Sequence, residues 1–289
     1  MKKIGFIGVG IMGKSMVRNL MKAGFELHIF ARSKAKVEDV ISEGAVFHDS
    51  IAGCVKGCAA VITIVGFPND VEEVYFAKGN ILDSAEPGSC LIDMTTTSPK
   101  LAEKIYAQGT AKGHHVLDAP VTGGDTGAKA GTLSILVGGR KEDYESCLPL
   151  FKAMGTNIQY HGKAGCGQHA KLANQIMIAG AMSGLCEALA YAKLKGLDLK
   201  TLLASVATGS AGSKQLDIFG PRILADDFAP GFFMKHFIKD MKLAVAEAED
   251  GGLHLEMLRQ VLSNYEALEA EGYGNSGTQA LIKHYKKQR

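Results

Sequence analysis

The hydrophobic pattern of the chain changes character once, and the change divides it. As far as Val137, short apolar runs alternate with segments in which apolar residues recur at helical spacing. The runs are Ile4 to Ile7, Glu26 to Phe30, Ala59 to Val65, Ser89 to Met94, His114 to Asp118 and Thr132 to Gly139. All six predict strands, and Ala59 to Val65 and Ser89 to Met94, near-continuous in apolar character, predict strands of a parallel sheet covered on both sides. Between the first two, Met12, Met16, Leu20 and Met21 fall on one helical face and Gly24 closes the helix. From Gln168 onward only the helical period remains. A long helix is predicted from about Gly167 to Lys195, apolar all round over Ile176 to Met182, which predicts burial between domains or subunits. Phe237 to Ala244, Leu253 to Tyr265 and Thr278 to Lys287 predict further helices, the last two joined by the turn Gly272 to Gly277. The expected fold is α/β. An N-terminal Rossmann doubly wound sheet, residues 1–163, is followed by an all-helical C-terminal domain, residues 164–289, joined through a long interdomain helix.

The first strand runs straight into Gly8-Val9-Gly10-Ile11-Met12-Gly13. In a strand, turn and helix of this kind, the first glycine permits the sharp turn. The second lets a pyrophosphate approach the backbone, and the third lets helix and strand pack closely. The anion then lies at a helix N-terminus. Residues 8–13 are therefore expected to bind a dinucleotide. The second strand ends at Ala31-Arg32-Ser33, followed by Lys34 and Lys36, with no acid before Glu38. A base rather than an acid there accommodates a 2′-phosphate, so the expected cofactor is NADP, with NAD the alternative. Val65 and Gly66 end the third run, where a loop would pass over the cofactor.

Three further groups each admit two readings. The hydroxyls from Thr95 to Ser98 suit a ribose or nicotinamide, or the cap of a helix starting near Pro99. Thr122-Gly123-Gly124 offers a neutral cradle of N–H groups for a carboxylate, or a hairpin turn. Lys171, Asn174 and Gln175 share one helical face, which suits a polar substrate or an exposed first turn. Lys239, on an amphipathic helix, reaches into a cleft or lies at the surface.

Composition narrows the partners. The net charge of +2 and the spread of Lys and Arg point away from nucleic acid; the only cluster, Lys283 to Arg289, reads as a solvated helix end. Six cysteines without a CxxC pair supply no zinc set, and reduced, mostly buried thiols of a cytoplasmic protein are expected, with no metal. No stretch reaches the uninterrupted apolar length of a membrane span; Ile176 to Ala192, the nearest, contains Glu187. The all-round apolar helix predicts a homodimer or homotetramer.

Four stretches together resemble the β-hydroxyacid dehydrogenase family, which includes 3-hydroxyisobutyrate dehydrogenase, tartronate semialdehyde reductase and the glyoxylate/succinic semialdehyde reductases. They are Gly5 to Gly13 with Asn19-Leu20, Asp118 to Gly124, Gly165 to Gln175, and Lys239-Asp240. The resemblance implies an active site in a cleft between the two domains. It implies Lys171 as catalytic acid/base, Thr122, Gly123 and Gly124 at the substrate carboxylate, Asn174 and Gln175 bonding substrate, and Thr95 and Lys239 at the cofactor. The implied reaction interconverts a small carboxylate-bearing aldehyde, a semialdehyde or glyoxylate, with its hydroxy acid. The family more often has serine where Thr122 stands, and many members have asparagine in place of Gln175. Imine reductases and 6-phosphogluconate dehydrogenase share the architecture. Lys171 argues against the former, and the latter would want clustered Arg or Lys beside the substrate. A non-catalytic NADP-binding sensor or scaffold would not need the set Thr122, Lys171 and Asn174.

Overall fold

The computed structural model describes residues 2–286, in two compact units divided between Lys171 and Leu172. The reading of the basic tail as a helix end falls partly outside them, since the helix Ile282–Lys286 is the last element described.

The first unit is built on a nine-stranded sheet. Its strands are β1 (Lys3–Ile7), β2 (Glu26–Phe30), β3 (Val46–Phe47), β4 (Ala60–Thr63), β5 (Cys90–Asp93), β6 (His115–Asp118), β7 (Val121–Thr122), β8 (Leu133–Gly139) and β9 (Gly155–Gly162). The first six lie parallel in the order β3-β2-β1-β4-β5-β6. The chain thus works outward from β1, then returns to its other side at β4, so that β1 and β4 carry their connections away in opposite directions. Their carboxyl ends border the crevice where ligands bind in folds of this order.

Successive residues of the central strands feed different cores, which is why the sequence shows unbroken apolar runs. Ile4, Phe6, Ile62 and Ile92 pack with Met16, Val17 and Leu20 of the helix Ile11–Lys22. Ile7, Val61, Leu91 and Val116 face the other way, onto Val71, Tyr75 and Ile105. Three strands carry no such signal. β3 and β7 are two residues each, and β9 is an edge strand whose mostly polar residues alternate in exposure. β8 runs antiparallel to β6 and to β7, and β9 parallel to β8, so the sheet is parallel only through β6.

In the second unit, helices Leu199–Ala207, Lys214–Leu224, Met234–Asp250 and Glu256–Ala270 share a core with the long helix Cys166–Leu194. Leu172, Ala179, Met182, Cys186 and Leu189 form the buried face of that helix. On its other side, among the described residues, Met177 is 68% exposed and Tyr191 62%. By length and composition it is the one helix among the described residues that could cross a membrane. The single helix expected over Thr278 to Lys287 instead begins as a 3-10 turn, Thr278–Leu281. There the Tyr265 hydroxyl donates to the Thr278 carbonyl at 2.8 Å. All six cysteines are free thiols and five are buried; burial pushes Cys54 up to about 12 and Cys58 to about 11.

Candidate active site

The glycine turn after β1 divides its labour as its spacing predicts. Gly8 has φ +98°, and a Cβ there would overlap the carbonyl of Ile64. A Cβ on Gly13 would overlap the carbonyl of Gly8, so the helix could not start so close to the strand. Gly10 alone faces open space, with nothing within 4 Å of its Cβ position. The helix Ile11–Lys22 has Gly10 at its N-cap, a residue with no side chain to cap it. Its first N–H groups and the positive end of its dipole therefore suit an anion lying against Gly10. On these observations the turn fits the pyrophosphate of a dinucleotide.

The end of β2 presents Ala31, Arg32 and Ser33, with Lys36 exposed just beyond. The Arg32 side chain is 87% exposed, and its Nη1 lies 3.5 Å from Asp70 Oδ1. At the end of β4 the Val65 N–H donates to Thr95 Oγ1 at 3.0 Å, with Gly66 following. That bond joins the loop after β4 to the loop after β5. Below it lies Asp93, whose Oδ1 accepts from Thr63 Oγ1 (2.8 Å) and from the Thr95 N–H (3.1 Å). Its Oδ2 is buried and has no hydrogen-bond partner among the described residues. Burial pushes this carboxyl up to about 6, against hydrogen bonds from Thr95 and Thr63 that hold it down. Its neighbour on the next strand, Asp118, is also raised by burial. Asp118 is fully engaged: Oδ1 accepts from the Gly165 N–H at 2.8 Å and Oδ2 from the Gln168 N–H at 2.9 Å. A carboxylate thus sits at the start of the long helix, where the dipole favours it.

Thr122 ends β7, half-buried and paired in register with Ser134. Gly123 (φ +126°) and Gly124 (φ +65°) turn the chain into the helix Gly124–Ala130, and a Cβ on Gly124 would meet nothing. Lys171 is 7% exposed and stands one turn beyond Gln168 on the long helix. In the second unit, Asn174 Nδ2 donates to Gln175 Oε1 at 2.8 Å, and Gln175 Nε2 donates to Asp240 Oδ2 at 2.7 Å. Lys239 Nζ lies 2.8 Å from Asp240 Oδ1, an ion pair by distance without the angle of a hydrogen bond. Asn174, Gln175 and Lys239 are therefore joined through Asp240, and both ends of the Gln175 amide are engaged.

Five buried polar residues of these networks have no role in the sequence reading: Thr63, Asp93, Asp118, Gln168 and Asp240. Three of them lie inside the motif stretches, and Asp93 and Asp118 end the strands β5 and β6. A charge at the close of a buried strand was the available signal.

Residues 3–162 match the model of the NAD binding domain of 6-phosphogluconate dehydrogenase. Residues 165–285 match that of the NAD-binding domain of NADP-dependent 3-hydroxyisobutyrate dehydrogenase. The chain is 49% identical over 282 residues to a Bacillus subtilis protein named as an uncharacterized oxidoreductase, YkwC, covering 98% of each. It is 34% identical over 280 residues to 2-hydroxy-3-oxopropionate reductase of Escherichia coli, covering 97% of this chain and 96% of that one. A solved structure of Mycobacterium tuberculosis 3-hydroxyisobutyrate dehydrogenase with L-serine superposes with a TM-score of 0.88 at 28% identity, covering 98% of each chain. With the strand order and glycine turn described above, these likenesses show that the chain belongs to the β-hydroxyacid dehydrogenase family and is an NAD(P)-dependent hydroxyacid dehydrogenase.

Proposed function

We propose that the protein interconverts a small carboxylate-bearing aldehyde and its hydroxy acid with NADP(H), and that Lys171 is the general acid/base. The observation that carries this reading is a buried amine at a fixed point. Lys171 is almost fully buried, on the helix start that Asp118 and Gln168 fasten to the sheet. The nicotinamide, when bound, supplies or accepts the hydride. The ammonium of Lys171 attracts the charge that develops on the carbonyl oxygen and then gives it a proton; in the reverse direction the amine takes the hydroxyl proton. The N–H groups of Gly123 and Gly124, beside the Thr122 hydroxyl, receive the substrate carboxylate. The reading assigns further substrate contacts to Asn174 and Gln175, and cofactor contacts to residues 8–13, Val65, Gly66, Thr95 and Lys239.

The exposed Arg32, with Ser33 and Lys36 and no acid among them, supports NADP over NAD. The same reading has the chain act as a homodimer or homotetramer, supported by the uncovered Met177, Tyr191 and Leu194 of the long helix. Lys171→Ala tests the central assignment. NADPH affinity by fluorescence titration stays near the parent value while turnover of a semialdehyde panel falls by about 100-fold or more. Full turnover in that variant overturns the reading.

A further inference from the structure

Gln168 is wholly buried, and its side chain is bonded at both ends to a single loop. Nε2 donates to the Thr95 carbonyl at 2.7 Å, and Oε1 accepts from the Thr97 N–H at 3.0 Å. Its own backbone N–H donates to Asp118. The residue before it, Gly167, presses so closely on the sheet that a Cβ there would overlap the carbonyls of Leu136 and Asp118. We propose that Gln168 is a positioning residue for the hydroxyacid reaction: its carboxamide locks the loop that carries Thr95 to the helix turn that carries Lys171. The inference rests on the reading of Lys171 as the acid/base and deepens it.

The chemistry of the lock requires an amide. One end must donate to a carbonyl and the other must accept from an N–H, which a carboxylate cannot do and a hydrocarbon does not attempt. Both partners are backbone groups, so neither can swing away to accommodate a mismatch. The loop they belong to is itself tied down, through Thr95 Oγ1 to the Val65 N–H and through the Thr95 N–H to Asp93. The ends of β4 and β5 and the start of the long helix therefore form one hydrogen-bonded body. Lys171, three residues further along the helix, is carried by it. Fixing the backbone there places the amine without any contact between Gln168 and substrate.

Gln168→Glu is the discriminating substitution, compared at each pH with the parent enzyme. Above neutrality its carboxylate opposes the Thr95 carbonyl, and kcat falls by about 100-fold, the scale of an ångström's misplacement, while KM for the hydroxy acid stays within about 3-fold. As pH falls the side chain protonates and again offers one donor and one acceptor, so the ratio of its kcat to that of the parent climbs back. Gln168→Met, similar in length and without polar atoms, loses kcat without recovery and serves if the Glu variant does not fold. The second readout is amide hydrogen exchange without cofactor: protection of the Thr97 N–H is lost in Gln168→Met and kept in Lys171→Ala. Parent-level kcat in Gln168→Glu at high pH beside an inactive Lys171→Ala overturns the lock and leaves the acid/base assignment standing. An active Lys171→Ala overturns the assignment itself. A Thr97 amide still protected in Gln168→Met also overturns the lock.

Discussion

Asp93 occupies the interior of the first unit with one carboxylate oxygen bonded twice and the other bonded to nothing among the described residues. Burial is the main cause of its raised pKa, about 6 against an ordinary value near 3.8. A group that holds its proton more tightly when folded stabilises the fold fully below its unfolded pKa, and that contribution is lost as pH rises through the folded value. For Asp93 the window runs from about pH 4 to pH 6, and between pH 5 and pH 8 the loss is on the order of 1.4 kcal/mol. In Asp93→Asn that part of the pH dependence disappears, and urea unfolding at pH 5 and pH 8 measures it. If parent and variant lose the same stability between the two pH values, the carboxyl is not titrating in that window. Residues such as Lys171 and Thr122 stood out in the sequence as candidates because they sit in spaced motifs. Asp93 showed only as a charge at the close of a strand, because its environment is made by Asp118, Thr63 and Thr95, which only strand pairing brings around it.

At the scale of elements, what the sequence announced was whatever is buried on two sides. The central apolar runs became strands because their successive apolar residues meet one core or the other. β9 escaped because an edge strand, polar along much of its length, has no such run to show, and the reversal at β8 is set by pairing rather than by composition. The glycine turn was legible for a different reason: Gly8 and Gly13 are dictated by close backbone contacts, whereas Gly10 is free of them and points to a ligand. The proposed preference for NADP rests on the end of β2. Arg32→Ala weakens NADP binding by about 10-fold, worth roughly 1.4 kcal/mol, and leaves NAD binding near its starting value. Calorimetric titration of both nucleotides measures the difference, and equal losses for the two would mean that Arg32 does not read the 2′-phosphate.

For the whole molecule, the long helix is the element whose sequence promised more burial than a single chain provides. Leu172, Ala179, Met182 and Leu189 are covered; Met177, Tyr191 and Leu194 are not. These bare apolar side chains are the basis for the proposed association. Light scattering at micromolar concentration is expected to give a dimer or tetramer, and Met177→Asp with Tyr191→Asp to shift it toward monomer. A parent protein already monomeric at that concentration refutes the association.

The division between the two units falls inside a continuous helix, at Lys171, and not in a linker. The N–H groups that satisfy Asp118 come from Gly165 and Gln168, just upstream of that point. A fragment severed ahead of Gly165 would strip both donors from a carboxylate in a dry interior. The nucleotide-binding half can be cut free only together with the opening turns of a helix that, by eye, belongs to its neighbour.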